Sequence, residues 1–191
     1  MHTRAHAGGT VRPWSLLILA VAALVVGCDD RFGPVDWDAT QDTAILFSAA
    51  RPELLGLPSA FDFVTESPVQ VEQPGATDTW DVVLTEQGGQ FLLVSADTLP
   101  ALTSRAAIAL VRGRAYEEVA RAPEDTAFHV AVAVQVGSDV VYVVRTRRVN
   151  ACIRYAKAEP ITLDAARGSF RFAFARNPNC GDRSLVPPDG D

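Results

Sequence analysis

Apolar and polar positions alternate with a period of two along much of the chain after residue 42, the pattern of strands with one buried face. In the clearest run, Phe128, Val130, Val132, Val134 and Val136 fall on one side, and His129, Ala131, Ala133 and Gln135 on the other. Gly137-Ser138-Asp139 turns the chain into Val140-Val141-Tyr142-Val143-Val144, whose side chains suit burial on both faces. These two segments are expected to form the centre of the sheet. Phe61 and Phe63 alternate with Asp62, predicting a half-buried strand, and Ala44-Ile45-Leu46-Phe47 and residues 69 to 71 add shorter ones.

Two hairpins stand out. Trp80 to Thr85 and Phe91 to Val94 flank Gly88-Gly89, which supplies the positive φ that tight hairpin turns need. Ala151 to Lys157 faces Ser169 to Phe174, with Phe170, Phe172 and Phe174 on the inward side. Ala106 to Val111 reads equally as strand or helix, because periodicity alone does not choose. Tyr116-Glu117-Glu118-Val119-Ala120 predicts a short helix stopped before Pro123. The fold class is therefore all-β: a single antiparallel sandwich or partly closed barrel of roughly seven to nine strands, with one short helix.

A different pattern opens the chain. Arg4 and Arg12 are the only fixed charges before an uncharged run from Trp14 to Val26, which ends in Gly27-Cys28 and meets Asp29-Asp30. A basic start followed by an apolar stretch is the layout of an export signal. At about 13 residues the stretch is shorter than the roughly 20 that span a bilayer core as a helix. Val25-Val26-Gly27-Cys28 resembles the lipobox of bacterial lipoproteins. That resemblance implies cleavage before Cys28, lipid attachment to Cys28 and a cell membrane location facing the periplasm. Two or three acyl chains, at about 0.8 kcal/mol per buried methylene, anchor a protein where one does not. Asp29 resembles the residue that retains enterobacterial lipoproteins in the inner membrane, a rule that varies, so inner and outer membrane both stay open. Residues 1–27 then read as the signal peptide, 28–41 as an acidic tether, 42–183 as the β domain and 184–191 as a flexible tail.

Charge narrows the partners. The 191-residue chain carries 17 basic and 23 acidic residues, and removing the leader takes only Arg4 and Arg12, leaving the mature part more acidic than the formal −6 of the whole. An acidic balance without a basic tract argues against nucleic acid. The expected partners are the membrane, through the N-terminal lipid, and another envelope protein. With Cys28 committed to lipid, Cys152 and Cys180 remain, and an oxidising compartment favours their pairing as a disulfide. The hairpin places them together at its open end.

Candidate chemistry is sparse. No Cys-x-x-Cys, Gly-x-Ser-x-Gly or Gly-rich phosphate loop occurs, so neither a metal nor another cofactor is expected. His129 is the sole imidazole after Cys28 and reads as a partly buried surface group. Asp78 and Asp81, three residues apart on an extended chain, point to opposite faces. Lys157, the only lysine, reads as solvated. Arg145, Arg147, Arg148 and Arg154 form the one basic concentration, a candidate contact for an anion or lipid headgroup that reads more simply as a solvated strand end. The functional expectation is a non-enzymatic binding or scaffold module. Two alternatives stay open: an envelope hydrolase drawing on Asp62, Asp81 or His129, and a small-ligand carrier with a cavity behind Phe170, Phe172 and Phe174.

Overall fold

The alternating segments pair into two five-stranded antiparallel sheets that stack as a sandwich, not a closed barrel. The computed structural model describes residues 34–99 and 104–188. The leader and Cys28 lie outside the described residues.

The first sheet contains β1 (Asp42–Phe47), β6 (Ala107–Arg112), β8 (Val140–Arg145), β9 (Tyr155–Asp164) and β10 (Ser169–Asn177), in the order β1-β10-β9-β8-β6. The second contains β2 (Ala60–Asp62), β3 (Ser67–Val69), β4 (Val82–Gln87), β5 (Gln90–Ser95) and β7 (Ala131–Ala133), in the order β3-β2-β4-β5-β7. The β4–β5 hairpin turns at Gly88 and Gly89, with φ of 60° and 79°, a pair of left-handed positions that matches strand twist. At the β9–β10 turn Gly168 has φ of 66°, and a Cβ there would stand 2.9 Å from Arg51 Cδ, so only glycine fits. Pro160 sits opposite Phe172 where the β9–β10 register shifts, beyond the part of β9 that pairs with β8. A bulge of this kind is where a strand tolerates a residue that cannot donate.

Between the sheets lie Leu46, Phe61, Phe63, Leu84, Tyr142, Phe170, Phe172 and Phe174. Phe61 packs edge-on to Phe63 and Phe174 with centroids 4.8 Å apart, the arrangement aromatic quadrupoles favour. The inward direction expected for Phe170, Phe172 and Phe174 is the one observed.

β8 is buried on both faces, as its composition predicts, and the cause is a strap. Val140, Tyr142 and Val144 enter the central core, whereas Val141 and Val143 face outward beneath Tyr116, Val119, Ala122 and Leu185. Residues 114–122 and 183–186 thus roof the outer side of the first sheet.

Four expectations need correction. The Tyr116 helix is a single turn over residues 116–118, too short to repay helix nucleation. Residues 128–136 do not form a central strand. His129 bridges Ile108 in the first sheet, whereas Ala131–Ala133 pair with β5 at the edge of the second. The segment crosses between sheets, and Val130 and Val136 are exposed. Asp62 is buried, not on an open face. Finally, the tail does not fray from residue 184: Leu185 is 1% exposed, and its N–H donates to the Ala120 carbonyl at 2.8 Å.

Candidate functional site

The two acids suggested by sequence, Asp62 and Asp81, meet at one arginine where the sheets join. Asp62 ends β2, Asp81 immediately precedes β4, and Arg147 follows β8 in the opposite sheet. Arg147 donates in a fork to Asp62, Nη1 to Oδ1 at 2.6 Å and Nη2 to Oδ2 at 2.9 Å. Asp62 also accepts from the Val64 N–H at 2.7 Å and the Thr65 hydroxyl at 2.7 Å. Asp81 accepts the backbone N–H of Phe63 at 2.7 Å and that of Arg147 at 2.6 Å. Its carboxylate lies 3.5 Å from Nη1 of Arg147.

Burial and charge act in opposite directions here. Asp62 is 3% exposed; desolvation pushes its pKa up, but the Arg147 and Thr65 hydrogen bonds and the Arg147 charge outweigh it and leave it below the usual range. Asp81 is fully buried, and desolvation raises its pKa to about 6 against the pull of the Arg147 N–H and charge, with Asp62 adding repulsion. Arg147 is held more firmly charged than usual: burial opposes its charge, but the two carboxylates prevail. The lone pairs of Asp62 are taken up by protein donors, and neither cavity described below is lined by Asp62, Asp81 or Arg147. Such an arrangement fixes the sheets relative to each other and keeps both carboxylates out of water.

The basic concentration is dispersed. Arg145 donates to the Arg105 carbonyl at 2.9 Å, reaches Asp125 at 3.3 Å and lies over the Phe128 ring. Arg147 is occupied as described, and Arg154 donates to the Pro178 carbonyl at 2.8 Å. Arg148 alone of the four is exposed. His129 is exposed on the segment bridging Ile108, away from both acids in the bonding pattern.

Lys157 is the largest departure from the sequence reading. It faces outward from β9 opposite Val143, where an uncovered sheet would leave it in water. The strap covers it, leaving it 2% exposed. Its ammonium donates to the carbonyls of Tyr116 at 2.9 Å and Val119 at 3.2 Å and sits 4.2 Å from the Tyr116 ring centroid. Desolvation lowers its pKa. Nothing in the local sequence distinguishes this lysine, because the roof comes from residues some 40 positions earlier.

Cys152 and Cys180 form a disulfide with Cα atoms 5.3 Å apart, just outside the ends of β9 and β10. The hairpin geometry had placed them there. The closed loop, with a separation of 28 residues, corresponds to a stabilisation of about 3 to 4 kcal/mol.

Two cavities among the described residues bear on function. The space between the sheets, lined by Phe63, Tyr142, Phe170 and Phe172 among others, amounts to about 10 Å³, room for one water at most. It leaves no room for a carried ligand behind the phenylalanines. A groove of about 230 Å³ opens at one end of the sandwich, where residues 37–42 run beside the end of β10. Val35 and Asn179 hold this segment in place by reciprocal bonds, Val35 N–H to Asn179 Oδ1 at 2.6 Å and Asn179 Nδ2 to the Val35 carbonyl at 2.9 Å. The walls include Trp37, Asp38, Asp42, Glu66, Phe174 and Arg176. Arg176 donates to Glu66 at 2.8 Å. No local pattern singles out Glu66 or Arg176, which lie 110 residues apart.

The molecule is by fold a two-sheet β sandwich with one disulfide. No protein family, curated protein or solved structure gives a significant match to the chain.

Proposed function

We propose that this chain is a bacterial envelope lipoprotein, anchored by lipid on Cys28, whose β sandwich serves as a non-enzymatic binding or scaffold module. The observation that carries the reading is the uncharged run ending in Val25-Val26-Gly27-Cys28, preceded by arginines and followed at once by acids. The disulfide agrees with an exported chain. Use of Asp62, Asp81, Arg147 and Lys157 as internal supports favours a rigid module over a hydrolase. Asp29 tilts the location toward the inner membrane, the sandwich facing the periplasm.

The test is metabolic labelling of the full chain with an alkyne analogue of palmitate, followed by mass spectrometry of the mature N-terminus. Label on Cys28, lost in Cys28→Ala, is the expected result. An unmodified Cys28 in the mature protein overturns the anchored reading. In-cell crosslinking of the labelled protein then identifies the bound component.

A further inference from the structure

We propose that the groove beside Trp37 receives a basic side chain, arginine or lysine, from a partner protein. This deepens the binding-module reading and rests on it. Size is the first argument. About 230 Å³ is below the roughly 300 to 1,000 Å³ of sites for drug-sized ligands, and suits a single side chain.

Charge is the second. Three carboxylates and one guanidinium line the groove, and Arg176 is engaged by Glu66 at 2.8 Å. Asp38 and Asp42 make no ion pair among the described residues. Both are exposed, and hydrogen bonds from Thr40 hold Asp38 below the usual carboxylate range. Among the described residues the mouth therefore carries two carboxylates without an ion-pair partner. An anionic ligand is repelled, and a cation is drawn in.

The third argument is the aromatic wall. Trp37 lines the groove with its ring half-buried, and indole is the strongest of the aromatic partners for a cation. Phe174 and Pro178 supply apolar surface against which the methylene stem of a lysine or arginine packs. The Val35–Asn179 bonds and the Arg176–Glu66 pair fix both walls in advance, lowering the ordering cost of binding.

The experiment uses the full mature protein in detergent micelles and the N-acetylated, C-amidated tripeptides of arginine, lysine and citrulline as probes. Binding is read by tryptophan fluorescence. Trp80 is buried at 5% exposure, so a response lost in Trp37→Phe reports the groove. The expected result is saturable binding of the arginine and lysine peptides. It weakens at least tenfold in Asp38→Asn/Asp42→Asn and falls as salt is raised. The citrulline peptide, a neutral isostere of the arginine one, binds at least tenfold more weakly, which keeps the test decisive even if the double variant folds poorly. Absence of saturable binding by both cationic peptides, equal affinity for citrulline, or a preference for the disaccharide chitobiose overturns the inference. Palmitate labelling of Cys28 is read separately, so a labelled protein that binds no peptide loses this inference alone.

Discussion

Lys157 is buried and Arg147 is largely covered, and the two cations are compensated in different ways. Arg147 meets two carboxylates and joins the sheets; Lys157 meets two backbone carbonyls and an aromatic ring and holds down a strap. The difference follows from where each residue lies. Arg147 emerges at the sheet junction, where Asp62 and Asp81 are fixed by backbone N–H groups, and its planar fork matches the Asp62 carboxylate. Lys157 lies under a segment with few ladder partners, and a compact three-donor ammonium suits carbonyls that converge from one turn. A charge opposed by charge resists titration, whereas a charge solvated by dipoles is easier to neutralise. The opposite directions of the Arg147 and Lys157 pKa shifts express this contrast.

The largest expected effect comes from removing the guanidinium. Arg147→Met leaves Asp62 and Asp81 buried without a counter-ion, and stranding charge in this way costs about 3 to 5 kcal/mol. Urea unfolding of the variant should show that loss. Lys157→Met should cost less, about 1 to 2 kcal/mol, because it strands neutral carbonyls. If the two variants lose equal stability, the contrast between them fails.

A smaller effect is expected from pH. The folded pKa of Asp81, about 6, lies above its ordinary 3.8, so the folded state holds a proton that the unfolded state has released. The contribution of Asp81 is complete below about 3.8 and is lost as pH rises through about 6. Asp62 acts in reverse: its folded pKa is depressed, so its contribution is present above 3.8 and is lost as pH falls through the lower value. The melting temperature should therefore rise between pH 7.5 and 5, and the rise should flatten in Asp81→Asn. A wild-type protein that loses stability steadily over that interval contradicts the assignment.

Much of the fold was legible in the sequence because alternation reports directly which side of a strand is buried. Phe170, Phe172 and Phe174 face inward as read, the Gly88-Gly89 turn is where expected, and Cys152 meets Cys180. What alternation does not report is which sheet a strand joins. Residues 128–136 kept a clean period of two while crossing from β6 to β5, so the pattern looked like one long strand. Nor does it report what covers an outward face. Lys157 and Val143 are neighbours on the same side of the first sheet, and only the strap decides that both are buried. Residue type alone offers Asp62 and Asp81 for a chemical role and places Arg147 in a solvated run. Their meeting depends on residues 85 and 66 positions apart, a separation at which local pattern carries no signal.

The central claim is that these ionisable residues build the domain, with Arg147 pinning one sheet to the other. A double-mutant cycle of Asp62→Asn and Arg147→Met, followed by urea unfolding at pH 7.5, measures this most directly. The account predicts a coupling of about 2 kcal/mol or more between the two residues, the double variant being more stable than the sum of the single losses implies. Additive losses, with coupling below about 0.5 kcal/mol, would contradict it.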